Sequence, residues 1–192
     1  MKYPGVFCLE GEWDPDLRYP TTVRTLLDTM QRCAGVPTIY RDIGTVQELE
    51  FYMRRWRQKR YSDYSVGWLA FHGSPGYIHI GRKALSLTQL ADAIGLRTCV
   101  GKTIYLGSCA TMQDGAAVRE LKTRTGARAV CGYTNDVDWM EAAAFELLLL
   151  STLTRYEQTA AALRRVQSEY GALADRIGFV SEPSWRAKPR PG

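Results

Sequence analysis

Two apolar segments that stop at reactive residues constrain this chain most. They are Trp68-Leu69-Ala70-Phe71-His72-Gly73 and Thr103-Ile104-Tyr105-Leu106-Gly107-Ser108-Cys109. Each reads as a buried strand, because short near-continuous apolar runs belong to parallel sheets covered on both faces. The interval between them has room for a connecting helix. Parallel strands bring their carboxyl ends to one edge of a sheet, so His72 and Cys109 would point into one crevice. A thiol and an imidazole, distant in sequence and close in the fold, are what thiolate attack on a carbonyl requires.

The rest of the chain alternates strand and helix. Strands are expected over 6–9, 38–40, 66–71, 103–106 and 129–133, with a hairpin arm or extra strand over 77–81. Val23, Leu26, Leu27 and Met30 fall on one face of a helix over 21–33, which Ala34-Gly35 stops. Thr45 with Glu48 three residues on predicts a capping box opening a helix over 46–58. Ser86 caps a helix over 87–94, and Gly126 ends one over 115–125. An apolar helix over 138–153 and an amphipathic one over 156–175 follow. Strands spaced by helices imply right-handed crossovers. The expected fold is therefore one α/β domain, a central mostly parallel sheet flanked by helices in three layers. It spans 1–180, with a flexible basic Pro-containing tail over 181–192.

Composition narrows the function classes. The 192 residues suffice for one buried core, with 45% apolar and 23% charged residues, a globular balance. No apolar run approaches the ~20 residues of a membrane span, and the start lacks a secretory pattern, so a cytoplasmic protein without a membrane partner is expected. The formal charge of +5 is not gathered in one long block. Its densest stretch, Arg54 to Arg60, reads as a solvated helix end, which argues against a nucleic-acid partner. Five cysteines without close paired spacing suggest neither a disulfide framework nor a zinc site. Of these, Cys8, Cys33, Cys99 and Cys131 read as core fillers. There is no glycine-rich phosphate loop, and no cofactor or metal is expected.

Phe71-His72-Gly73 and Leu106-Gly107-Ser108-Cys109-Ala110 resemble the His-Gly and x-Cys signatures of the caspase-like cysteine peptidases, a group that includes caspases, metacaspases and the bacterial CHAT-type peptidases. The segment Asn135-Asp136-Val137-Asp138-Trp139, the apolar helix after it, and Ala161-Ala162-Leu163-Arg164-Arg165-Val166 are similar to late parts of CHAT-type domains. The resemblance covers about residues 6–170. It implies a cysteine endopeptidase acting on a protein or peptide substrate through a Cys-His dyad and a thioester acyl-enzyme. Cys109 would be the nucleophile and His72 the general base or acid. The backbone N–H groups of Gly73 and Cys109 would form the oxyanion hole. Cys109 at the start of a helix would have a lowered pKa. A regulatory partner protein is a further implication.

The chain departs from that pattern. Where metacaspase-like enzymes often carry an acidic residue two before the cysteine, this chain has Gly107, and no long acidic processing loop is visible. Asp136 and Asp138 are the substitutes for binding a basic substrate side chain. Aspartates at such positions more often cap the following helix. His79 reads as surface polar. Trp13, with Glu10 and Glu12, either edges the crevice or belongs to an ordinary loop. His72 and Cys109 also admit bland readings, a polar strand end and a buried small hydrophobe. The alternative to an enzyme is a catalytically silent caspase-like module that binds a partner protein.

Overall fold

The computed structural model describes residues 4–16 and 18–184. From the amino end the elements are β1 (Val6–Glu10), α1 (Arg24–Ala34), β2 (Thr38–Asp42), α2 (Val46–Trp56) and β3 (Val66–Ala70). Three short strands follow, β4 (His72–Ser74), β5 (Tyr77–Ile80) and β6 (Lys83–Ser86). The chain continues through α3 (Leu87–Ile94), β7 (Thr103–Gly107), α4 (Gly115–Thr125) and β8 (Ala129–Tyr133). It closes with α5 (Trp139–Leu153), α6 (Thr159–Arg176) and β9 (Phe179–Glu182).

The main sheet has six strands in the order β2-β1-β3-β7-β8-β9. All its pairs are parallel except β8 with β9. The two segments that carry His72 and Cys109 are neighbours, with Val66 opposite Thr103 and Ala70 opposite Gly107. Strand alternation separates two cores. Val6, Cys8, Trp68, Tyr105, Cys131 and Tyr133 face a layer of α1, α5 and α6. Phe7, Leu9, Leu69, Ile104, Leu106 and Val130 face α2, α3 and α4. Both layers are closed over the middle of the sheet, so β1, β3, β7 and β8 are buried on both sides, as the apolar runs require, while the edge strand β2 is half-buried to exposed. The architecture is the expected three-layer α/β fold.

Helix ends follow local chemistry. The Glu48 N–H donates to Thr45 Oγ1 at 3.2 Å, while the Glu48 carboxylate accepts from the Gly44 N–H at 3.0 Å. Ser86 and Gln89 form a full capping box on α3. Gly126, at φ 73°, ends α4 in the left-handed region that glycine enters without steric cost.

Four expectations are corrected. His72 does not simply end β3: it opens β4, and β4-β5-β6 form a separate antiparallel sheet. The expected tail begins inside β9, where Ser181 and Glu182 pair with Cys131 and Val130; residues 185–192 lie outside the described residues. Cys33 is exposed, because Leu27 and Met30 set the inward face of α1 and Cys33 falls outside it. His79 is half-buried, opposite His72 across the β4–β5 pair, with a ring nitrogen 3.0 Å from Ser74 Oγ.

Candidate active site

The chain runs from β1 to β2 at one edge and returns past β1 to β3, so the strand order reverses between β1 and β3. Crevices at such reversals, beyond the carboxyl ends of the strands, are where open α/β sheets bind ligands. Here Gly11, just after β1, donates to the Ala70 carbonyl at the end of β3 at 2.9 Å. Trp13 and His72 lie immediately beyond.

His72 Nε2 is 2.7 Å from the Trp13 carbonyl oxygen. A carbonyl only accepts, so the neutral ring carries its proton on Nε2, and Nδ1 keeps its lone pair. The Trp13 indole meets the His72 ring edge-on at 5.2 Å and the Trp139 ring at 5.0 Å.

Cys109 lies two residues past the end of β7 and is half-buried. It does not open an α-helix, contrary to expectation. Ala110 adopts φ 54°, a 3-10 turn covers Thr111–Gln113, and α4 begins only at Gly115, capped by Asp114. The reason is tertiary. The Ala110 N–H donates to the Asn135 carbonyl at 2.9 Å, and the Thr111 hydroxyl lies 3.2 Å from the Tyr77 carbonyl oxygen. These ties hold the turn between β5 and the loop after β8. A helix-dipole argument for the Cys109 thiolate therefore does not apply.

Gly73 lies directly against this turn. A Cβ at 73 would sit 2.5 Å from the Cys109 carbonyl oxygen and 2.8 Å from Ser108 Cβ, so no side chain fits there. His72 and Cys109 both line one cavity of about 60 Å³, which Trp13, Trp139, Tyr133 and Glu146 help to enclose. A larger cavity, about 580 Å³ beside Arg128 and the start of α6, has neither histidine nor cysteine among its lining residues. Among the described residues no cluster of His, Cys, Asp and Glu is suited to hold a metal ion.

Glu146 is the residue that sequence reasoning missed. It reaches the cavity from α5, and its Oε1 is 2.7 Å from the Tyr105 hydroxyl, which is itself 2.7 Å from the Tyr133 hydroxyl. Burial pushes its carboxyl up to about 8, against the hydrogen bond from Tyr105, which lowers it. The available signal was a single charge in the apolar run Ala142 to Leu153. Gly107 makes room for it: a Cβ there would collide with the Trp68 indole and sit 3.3 Å from Glu146 Oε1. The Trp68 Nε1 and Ser108 Oγ beside this space are buried without a partner among the described residues.

The remaining candidates separate. Trp13 edges the crevice, the less expected of its two readings. Asp138 caps α5, its Oδ1 accepting from the Met140 and Glu141 N–H groups at 2.9 and 3.0 Å. Asp136 is exposed, and neither aspartate lines the cavity. Cys8, Cys99 and Cys131 are buried, and burial raises all three thiols, Cys99 to about 12.

Comparison with known proteins agrees with this architecture. A family described as a family of unknown function, DUF6642, matches residues 4–180. No curated protein matches the chain in sequence. Its fold is similar to that of a secreted C11 cysteine protease from Bacteroides thetaiotaomicron, solved with an irreversible peptide inhibitor. That match has a TM-score of 0.60 at 12% identity, over 90% of this chain and 59% of the protease. Caspase-1 from Spodoptera frugiperda matches with a TM-score of 0.51 at 13% identity, over 87% of this chain and 76% of the caspase. The fold is caspase-like, and the chain spans about 59% of the length of the C11 protease.

Proposed function

We propose that this chain, which belongs to the family of unknown function DUF6642, is a cysteine endopeptidase of the caspase-like, CHAT-type kind, with Cys109 as nucleophile and His72 as base. The observation that carries the reading is the common cavity wall of His72 and Cys109, with the Gly73 backbone packed on the cysteine turn. In this mechanism Nδ1 of His72 takes the thiol proton as Cys109 Sγ attacks the peptide carbonyl. The N–H groups of Gly73 and Cys109 stabilise the oxyanion. The imidazolium returns the proton to the leaving amine, giving a thioester. Water then attacks the thioester, His72 takes its proton, and the acid leaves as Cys109 recovers its thiol.

A basic side chain before the cut bond is part of the proposal, held by Asp136 and Asp138. Both cap bonds of Asp138 fall on Oδ1, so Oδ2 is left to pair with a guanidinium. A cytoplasmic site of action belongs to the same proposal. No helix among the described residues is long and apolar enough to cross a membrane.

One observation favours the second reading, a silent module that binds a partner protein. The cavity shared by His72 and Cys109 is about 60 Å³, far below the roughly 300 Å³ at which ligand pockets begin. A substrate side chain needs that space widened, and a regulatory partner is one means of widening it.

Cleavage of a fluorogenic peptide library tests the first reading. Cys109→Ala abolishes turnover, and His72→Ala lowers it about 10²- to 10⁴-fold, with circular dichroism unchanged in both. Full turnover by Cys109→Ala sinks the protease reading. Selective alkylation of Cys109 by iodoacetamide at neutral pH supports it.

A further inference from the structure

The hydrogen bond to the Trp13 carbonyl is the contact that orients His72, yet Trp13 sits in irregular chain between β1 and α1. Something must hold that carbonyl in place. The Trp13 indole N–H donates to Glu10 Oε1, at the end of β1. Glu10 is itself immobilised. Its Oε1 also accepts from the Val23 N–H at 2.7 Å, and its Oε2 accepts from the Thr22 and Tyr40 hydroxyls at 2.6 Å each. An ionised carboxylate has about four acceptor sites, and all four are used here. These donors come from the β1–α1 loop, the start of α1 and β2, so the carboxylate is clamped by three parts of the fold. Glu10 is only 2% exposed. A buried carboxylate held by hydrogen bonds from several directions is a rigid anchor.

We infer that Glu10 is a positioning residue for the proposed reaction: through the Trp13 indole it fixes the Trp13 carbonyl, and so fixes the ring orientation and proton position of His72. The inference rests on the reading of His72 as the base. The ordered chain is Glu10 carboxylate, Trp13 indole, Trp13 carbonyl, His72 Nε2–H, with Nδ1 left for the thiol. Glu10 touches no reacting atom. Its effect is on alignment, where a displacement of about 1 Å can cost 10²-fold in rate.

The two oxygens of Glu10 face different donors, which gives a discriminating substitution. At Oε1 the partners are N–H groups, which can only donate; at Oε2 they are hydroxyls, which can reverse. In Glu10→Gln the amide oxygen keeps Trp13 and Val23, and the amide nitrogen donates to Thr22 and Tyr40. Geometry survives and charge does not. Glu10→Ala removes both. Trp13→Phe removes only the indole N–H and keeps an aromatic ring and the backbone carbonyl, so it serves if Glu10→Ala fails to fold.

The experiment is ¹⁵N-resolved NMR of the His72 ring in the substrate-free protein, alongside peptide kinetics. The wild-type ring shows one tautomer with a protected Nε2 proton. In Trp13→Phe and Glu10→Ala the ring shifts average as in a mobile histidine and the protected proton is lost. kcat falls about ten- to hundredfold while KM moves little. Glu10→Gln recovers the wild-type spectrum and most of the kcat lost in Glu10→Ala. An unchanged His72 spectrum in folded Trp13→Phe overturns the inference. So does a Glu10→Gln protein as perturbed as Glu10→Ala. The spectra do not depend on catalysis, so a protein in which Cys109→Ala changes no turnover would defeat the protease reading and leave this test intact.

Discussion

The two faces of the main sheet are built from the same strands and differ in kind. Against α2, α3 and α4 the strands present Phe7, Leu9, Leu69, Ile104, Leu106 and Val130, an aliphatic and aromatic core whose titratable groups, Cys99 and Lys102, sit before the amino end of β7, away from the candidate site. Against α1, α5 and α6 they present Cys8, Trp68, Tyr105, Cys131 and Tyr133, with the buried carboxyls of Glu10 and Glu146 beside them. The polar groups gather toward the carboxyl ends of the strands, where Glu10, Gly107 and Tyr133 lie on this face. Burying such groups costs free energy unless each is hydrogen-bonded, so an all-apolar second core would be the more stable choice. The contrast teaches that both faces pack apolar cores, but the buried carboxyls are gathered on one of them, the face beside the candidate site. His72 and Cys109 emerge at the end of the face whose core already tolerates ionisable groups.

Truncation on the apolar face gives the largest stability effect. Leu106 is fully buried between strands and α-helical layer, so Leu106→Ala costs about 2–5 kcal/mol through lost transfer energy and the cavity left behind. The loss is the same between pH 5 and 7, below the range in which Lys102, held down to about 8 by burial beside Trp56, titrates. Chemical denaturation at several pH values measures it. A loss that varies with pH would break the division between the faces.

The polar face responds to pH instead. The Glu146 carboxyl is held up to about 8 by burial, against about 4.5 in the unfolded chain. Between those values the folded state binds the extra proton, so stability falls as pH rises. The contribution is fully present below pH 4.5 and is lost as pH climbs through 8. The slope is at most about 1.4 kcal/mol per pH unit. Glu146→Gln cannot ionise. It matches the wild type near pH 4.5 and becomes the more stable of the two toward pH 8. Parallel denaturation curves for the two proteins across that range would remove Glu146 as the source of pH dependence.

The same division decides what was legible in the sequence. Local signals located α4 and β8 without error, because Gly126 and the apolar run Ala129 to Tyr133 set their own limits. The pairing of β3 with β7 followed from two apolar runs of similar length. What escaped depended on distant partners. β9 is four residues long, and among the described residues it pairs only with β8, which precedes it by two helices. Ser108 to Gln113 reads locally as the start of a helix, but Asn135 and Tyr77 pull it into a turn. Trp13 became part of the site through Glu10 and His72, neither of which its own neighbours reveal. Glu146 was visible as a lone charge, but only its position beneath Gly107 gives that charge a place in the cavity.

The smallest effect, and the one that separates two roles of one residue, concerns Asp138 at the head of α5, the helix that carries Glu146 to the polar face. Asp138→Ala removes the acceptor of the Met140 and Glu141 N–H groups and costs about 1 kcal/mol. Asp138→Asn keeps that cost near zero, since asparagine is as good a helix N-cap as aspartate. Exposed Asp136 has no such duty, and Asp136→Ala changes stability by no more than about 0.5 kcal/mol. Cleavage profiles then isolate charge from structure. If the loop reads a basic substrate side chain, Asp138→Asn and Asp136→Ala each weaken the preference for Arg or Lys while stability holds, because a carboxylate binds guanidinium bidentately and an amide does not. If the preference is unmoved in both, the carboxylates of this loop serve α5 alone, and selection of the substrate falls to the cavity wall of Trp139, Tyr133 and Glu146.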